Sequence, residues 1–279
     1  MLLRAPAKLN LCLYLGRPRE DGLHELCSLF EPLELADLIT VTPAERDEVI
    51  CPGVGGENLA AKALAGLRKR GWEREPLRVE IEKRVPVAAG LGGGSGDAAA
   101  VLRLAAGEVA DLPELAAELG ADVPSQLRPA LVLVRGAGER VEPLPEPAEH
   151  AAVLLPGGGG LSTAAVFAEA DRLGLGRGAE ELDDLAARLR EAAGAGASPL
   201  DYPDLLINDL EPAALSLRPD IGATLDALRA AGAPQAILSG SGPTAVGLFP
   251  DLAAAEAAAA NLDTDEAIIC AAGIARLTL

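Results

Sequence analysis

Strands and helices follow one another without strict alternation along this chain, which predicts an α+β fold rather than a doubly wound sheet. Two further observations set its layout. Period-two apolar runs occupy the first 43 residues, and helical spacing returns after each cluster of glycine or proline. Three prolines within Pro143–Pro147 then separate two halves, expected as domains 1–145 and 146–279, each with its own strands and helices.

The elements are expected in this order. Ala7–Leu15 alternates, with Leu9, Leu11, Leu13 and Leu15 on one face and Lys8, Asn10, Cys12 and Tyr14 on the other. Pro18 and Asp21-Gly22 turn the chain, and strands follow at Leu29–Leu35 and Asp37–Pro43. Leu59–Lys69 has helical spacing, and Leu77–Arg84 reads as a half-exposed strand. A glycine-rich turn leads into helices at Ala98–Glu108 and Pro113–Leu119, then a strand at Ala130–Val134. The second half begins with a strand at Ala151–Leu155. Helices are expected at Ala164–Arg172, Ala179–Ala193, Pro212–Leu217, Pro219–Ala231 and Ala253–Asn261. Strands are expected at Ala236–Leu238, Thr244–Phe249, Ala267–Cys270 and Ala275–Leu279.

Composition narrows the function. The chain has 279 residues and a net charge of −18, with no basic run. Such a surface repels nucleic acid and anionic lipid, so neither is an expected partner. Six aromatic residues leave the core to Ala, Leu and Val. Cys12, Cys27, Cys51 and Cys270 form no C-x-x-C pair, which points to reduced thiols rather than zinc or disulfides. No apolar run reaches about 18 residues and no signal segment opens the chain. A cytoplasmic protein, monomeric or homodimeric, is expected.

The strongest local signal is Gly90-Leu-Gly-Gly-Gly-Ser-Gly96, five glycines in seven residues between a strand and a helix. Glycine admits φ > 0 and lets a ligand approach the backbone. Successive N–H groups at a helix start suit phosphate oxygens. The G-x-x-x-x-G-K-[ST] pattern fails, since no lysine follows. Gly94-x-Gly96-x-x-Ala99 fits the dinucleotide fingerprint, but its strand is charged on one face and ends at Pro86. A phosphate cradle of another fold and a plain glycine-rich loop complete the readings.

Pro86-Val-Ala-Ala-Gly-Leu-Gly-Gly-Gly-Ser-Gly-Asp-Ala-Ala99 resembles the phosphate-binding motif of the GHMP kinases. Ala5–Leu11, Asp21-Gly-Leu-His-Glu-Leu26, Asn208–Pro212 and Leu238–Thr244 resemble, in order, blocks of the branch acting on a cytidyl-linked methylerythritol. The resemblance implies an N-terminal half like domain 2 of ribosomal protein S5 and a C-terminal ferredoxin-like half, with the site between them. It implies ATP as phosphoryl donor, Mg2+ as its companion, and the acceptor's 2-hydroxyl as nucleophile. Pro86, Val87, Ala88, Ala89, Gly90, Leu91, Gly92, Gly93, Gly94, Ser95 and Gly96 would hold the nucleotide, with Ser95 near the metal.

By the same resemblance Lys8 and Asp122 are the catalytic pair. From the residues alone Lys8 also reads as a solvated lysine, although its apolar-flanked strand position and the scarcity of lysines favour function, and Asp122 also reads as a turn residue; functionally, Asp122 reads as a base or a hydroxyl-orienter. Asn10, His24, Phe167, Ser239, Gly240, Ser241 and Gly242 are the implied substrate-side positions. His24 and Phe167 also read as structural residues, and Ser239–Gly242 as a hairpin. Leu23 stands where that branch carries an aromatic, Gly96 where it carries a second small residue, and Pro124–Pro129 lacks its usual glycine. Another GHMP kinase, of homoserine or mevalonate type, and a non-catalytic nucleotide sensor are the competing functions, with a Rossmann oxidoreductase behind them.

Overall fold

The computed structural model describes residues 1–272. The first half contains β1 (Leu2–Pro18), β2 (His24–Pro43), β3 (Glu48–Ile50), α1 (Leu59–Lys69), β4 (Leu77–Glu82) and α2 (Gly93–Arg103). It continues through α3 (Leu112–Leu119), α4 (Val123–Gln126), β5 (Val132–Gly136) and β6 (Arg140–Pro143). The second half contains β7 (Ala151–Leu155), α5 (Thr163–Leu173), α6 (Ala179–Ala193), α7 (Glu211–Leu217) and α8 (Asp220–Ala230). It ends with β8 (Gln235–Leu238), β9 (Ala245–Phe249), α9 (Leu252–Ala259) and β10 (Ile268–Ala271). The strand expected over Ala275–Leu279 lies outside the described residues.

The first sheet runs β3-β4-β2-β5-β6, with β1 also paired to β2. The second runs β10-β7-β9-β8 and is antiparallel throughout. Two differences from the sequence reading have local causes. β2 is one strand, not two: Ala36 and Asp37 stay paired with Pro6 and Ala5 of β1, so the strand runs on across the expected gap, and the Asp37 carboxylate accepts Arg84 N at 2.6 Å and Val85 N at 2.8 Å. α2 begins inside the glycine run, at Gly93, because Gly92 takes φ 67 and turns the chain into the helix.

The alternation expected for β1 is broken as well. The β1–β2 register shifts between Asn10 and Cys12. A bulge there moves every later side chain to the opposite face. Leu9 and Leu11 therefore share a core with Cys12 and Tyr14, while Leu13 and Leu15 join a second core under α7 and α8. Both faces of β1 are covered, and Lys8 is 5 % exposed rather than solvated.

α1, α2 and α3 pack over Ile39, Val41, Val79 and Ile81 to form a core of their own. The three alanines Ala98, Ala99 and Ala100 are fully buried there. The two sheets share another core: Leu9, Leu11, Leu29 and Leu133 from the first meet Ala152, Leu154, Ile237 and Val246 from the second. Backbone bonds join the halves too, with Leu13 N donating to Ile207 O and Asp209 N to Leu13 O, both at 2.8 Å.

Leu154 is fully buried in that shared core. Leu154→Ala is expected to cost about 2–5 kcal/mol. Urea unfolding followed by Trp72 emission, in the first half, and by far-UV circular dichroism should shift together. Separate transitions would show that the halves do not unfold as one.

Candidate active site

A cleft of about 570 Å³ runs between the halves, a size that suits a small-molecule ligand. Pro86 through Ser95 line it without interruption. The first N–H groups of a helix have no partner within it, so those of Gly93, Gly94 and Ser95 are available to an anion at the positive end of α2. Ala88 joins the glycines at positive φ, at 55°, a strained backbone for a residue with a Cβ. Gly96 does not line the cleft. A Cβ there would lie 2.9 Å from Pro6 O, so its smallness lets α2 sit on β1.

The loop is held from both halves. Lys8 N donates to Leu91 O at 2.9 Å. Ser239 Oγ donates to Gly90 O at 3.1 Å. Gly90 has φ +77, and a Cβ on it would lie 2.5 Å from Ser239 O, so only glycine fits. Asn208 in turn grips the Ser239 turn, donating to Leu238 O at 2.8 Å and Gly240 O at 2.7 Å.

Lys8 brings its ammonium to the same place. Its Nζ donates to Asn10 Oδ1 at 2.5 Å and lies 3.2 Å from Asp122 Oδ2 and 4.6 Å from the Phe30 ring centre. Asp122 occupies the residue before α4, but its carboxylate does not cap that helix. It lines the cleft instead, together with Lys8. Asn10 is occupied with Lys8 and with Ser28 Oγ, 3.1 Å from its Nδ2, and is not part of the cleft wall.

Phe167, Thr163, Gly240 and Ser241 line the cleft from the second half, where Thr163 Oγ1 and Ser241 Oγ are 3.0 Å apart. His24 packs at a tilt against Phe167, ring centres 5.1 Å apart, and its Nε2 is 2.8 Å from Asp171 Oδ1. Ser239 and Gly242 serve the turn itself, Gly242 N donating to Ser239 O at 2.9 Å. Leu23 is 53 % exposed.

The sequence reading missed Lys83. Its ammonium bridges Asp37 of β2 and Asp97 of α2, the latter at 2.8 Å, and Lys83 and Asp97 both line the cleft. Burial opposes the charge on Lys83, yet its two carboxylates outweigh that and raise its pKa. Burial also pushes Asp97 up from 3.8 to about 6, with Lys83 pulling the other way. One ammonium thus serves two buried carboxylates, and Asp97 is the one left short. The available signal was its being one of four lysines.

An open helix start beside an ammonium–carboxylate pair, in a cleft between two α+β halves, is an arrangement suited to phosphoryl transfer. Comparisons with known proteins agree. The family model for the GHMP kinases N-terminal domain matches residues 58–128, and that for the GHMP kinases C-terminal region matches residues 182–267. The 4-diphosphocytidyl-2-C-methyl-D-erythritol kinase of Kineococcus radiotolerans is 42% identical over 86% of this chain and 78% of its own. That of Nocardia farcinica is 40% identical over 99% of this chain and 91% of its own. A crystal structure of a 4-(cytidine 5'-diphospho)-2C-methyl-D-erythritol kinase matches with a TM-score of 0.78 and 36% identity, covering 98% of this chain and 99% of that one. A homoserine kinase from Cytophaga hutchinsonii, at 18% identity and a TM-score of 0.69, shares the fold. The chain belongs to the GHMP kinases, within the 4-diphosphocytidyl-2-C-methyl-D-erythritol kinase family, and is a small-molecule kinase. Among the described residues no helix is long and apolar enough to cross a membrane.

The raised pKa of Asp97 fixes a sign. Its folded value lies above its ordinary one, so its contribution to stability is complete below pH 3.8 and lost as pH rises through about 6. Asp97→Asn is expected to be at least as stable as the parent at pH 7.5. Lys83→Met, which strands two buried carboxylates, should lose about 3–5 kcal/mol. Thermal unfolding of both variants at pH 7.5 checks this; a less stable Asp97→Asn would reverse the sign.

Proposed function

We propose that this kinase transfers the γ-phosphoryl group of ATP to the 2-hydroxyl of 4-diphosphocytidyl-2-C-methyl-D-erythritol, in the non-mevalonate route to isoprenoid precursors. The observation carrying this reading is the Lys8–Asp122 pair, 3.2 Å apart on the wall that holds the open N–H groups of α2. We further read the chain as two domains meeting near residue 145, the first like domain 2 of ribosomal protein S5 and the second ferredoxin-like.

The chemistry follows from the residues. The amides of Gly93, Gly94 and Ser95 grip phosphate oxygens without adding a charged side chain to the loop. The acceptor hydroxyl hydrogen-bonds to Asp122. As its oxygen bonds to Pγ, the bond from Pγ to the bridging oxygen breaks and its electron pair leaves with ADP. The hydroxyl proton passes to the Asp122 carboxylate. Phosphoryl transfer has a loose transition state, so placement and charge matter more than base strength. Lys8 serves both, holding Asp122 and facing the charge on the transferring group.

The donor set fits magnesium. The Ser95 hydroxyl, a hard oxygen donor on the cleft wall, would hold the ion beside the nucleotide's phosphates. No group of three or more His, Cys, Asp or Glu side chains among the described residues makes a metal cage, as suits an ion held largely by the nucleotide's phosphates. When bound, Mg2+ neutralises charge on the β- and γ-phosphates.

The cytosine would lie against Phe167, with His24 behind it. Leu23 leaves the opposite face without an aromatic, so stacking would come from Phe167 alone.

Asp122→Asn is expected to lower turnover by about 10²–10⁴-fold with nucleotide affinity kept. An ADP-release assay over a panel of alcohols supplies the readout, with the cytidyl-linked methylerythritol as the one efficient acceptor. Near-parental turnover in the variant removes Asp122 from the mechanism, and efficient phosphorylation of homoserine or mevalonate replaces the proposed acceptor. ATP binding with no acceptor phosphorylated returns the sensor reading.

A further inference from the structure

His24 opens β2 opposite Pro18, the last residue of β1, so its ring sits at the end of the first hairpin. The ring is buried, and two side chains of α5, in the other half, hold it. Phe167 packs against it at 50°, ring centres 5.1 Å apart. Asp171 Oδ1 lies 2.8 Å from its Nε2. Phe167 and Asp171 are four residues apart, so α5 presents both on one face to the same imidazole.

Asp171 pairs with no other side chain. The guanidinium beside it in sequence, that of Arg172, is taken by Glu169 at 2.7 Å. Among the described residues no lysine or arginine pairs with Asp171. Its side chain is 44 % exposed, so water competes for it and the bond is a weak tie between the halves. What the bond gives is direction. A carboxylate only accepts, so Nε2 must carry the proton, and the ring cannot turn over without losing its partner. Phe167 lines the cleft and His24 does not. The imidazole is therefore a backstop. Fixed by Asp171, it fills the space behind Phe167 and keeps the phenyl ring on the cleft wall.

We propose that Asp171 is a positioning residue for the acceptor. It touches no substrate. It fixes the His24 ring, His24 fixes Phe167, and Phe167 offers its face to the acceptor's base. This rests on the function proposed above, in which the cytosine lies against Phe167. It gives Asp171 a part in acceptor binding and none in phosphoryl transfer. Lys8 and Asp122 are paired with each other, and neither bonds to His24, Phe167 or Asp171.

Steady-state kinetics of the full chain with the cytidyl-linked methylerythritol supply the test. Asp171→Ala should raise the acceptor KM by about fivefold or more, with kcat and the KM for ATP within about twofold of the parent. Asp171→Asn keeps an oxygen that can accept from Nε2, so it should stay within about twofold throughout. Asp171→Lys offers only a donor and should be impaired at least as much as Asp171→Ala. A second readout needs no substrate. In two-bond proton–nitrogen spectra at pH 8.5, His24, one of two histidines, should carry its proton on Nε2 in the parent and in Asp171→Asn. In Asp171→Ala the proton should be shared between both nitrogens. An unchanged acceptor KM in Asp171→Ala overturns the inference. So does a loss confined to kcat, an equal loss in Asp171→Asn, or an unaltered His24 tautomer in Asp171→Ala. A parent inactive toward the cytidyl-linked acceptor overturns the proposed function, and this inference falls with it.

Discussion

The contact between β1 and the phosphate loop is the constraint on which the rest of the structure depends. The 2.9 Å bond from Lys8 N to Leu91 O fixes loop to strand, and the side chain of the same lysine reaches Asp122. One residue therefore links the glycine-rich loop to the Asp122 carboxylate. Gly92 makes that possible: a Cβ there would lie 2.8 Å from Lys8 Cγ. The register shifts of β1 fall on either side of Lys8 and Asn10, where the strand aims Lys8 into the cleft wall and Asn10 at Lys8 and Ser28. A regular strand would leave the ammonium pointing elsewhere.

An acidic chain that binds a polyanion needs a local exception to its own field. Backbone amides supply one, since they add partial positive charge and no ionisable group. Lys83 supplies another, though its charge is already answered by Asp37 and Asp97. Its structural work is to tie β2 to the first turns of α2, at the point where the chain leaves β4 for the glycine-rich loop. A bulky residue at Gly93 would collide with it, because a Cβ there lies 3.2 Å from Lys83 Nζ.

What was legible in the sequence was local. The glycine run shows in its own spacing, Lys8 and Asp122 stood out through the family resemblance, and α6 spans the expected residues. What was not legible depends on distant partners. Lys83 meets Asp97 across 14 positions and Asp37 across 46, and nothing in either neighbourhood announces the meeting. The bulge in β1 was equally hidden, because alternating leucines look the same whether or not a register shift divides them. Gly96 reads as one more loop glycine, and its role against Pro6 O depends on where α2 lands. β3, β6 and α4 have three or four residues each, too short to show a period.

The links between the halves bear on how such an enzyme works. Ser239 bonds to Gly90 O, Asn10 N lies 3.4 Å from Ser239 Oγ, and β1 shares backbone bonds with the segment around Ile207 and Asp209. Beneath these bonds a single apolar core spans both sheets. A hinge that opened the cleft by separating the halves would have to break all of this at once, exposing leucines on both sides. Hinges elsewhere rely on a few loop residues with little packed across them. Here Lys8 lies on β1, the strand whose leucines pack into both shared cores. The cleft therefore forms with the fold, and its amides, ammonium and carboxylate are already in place.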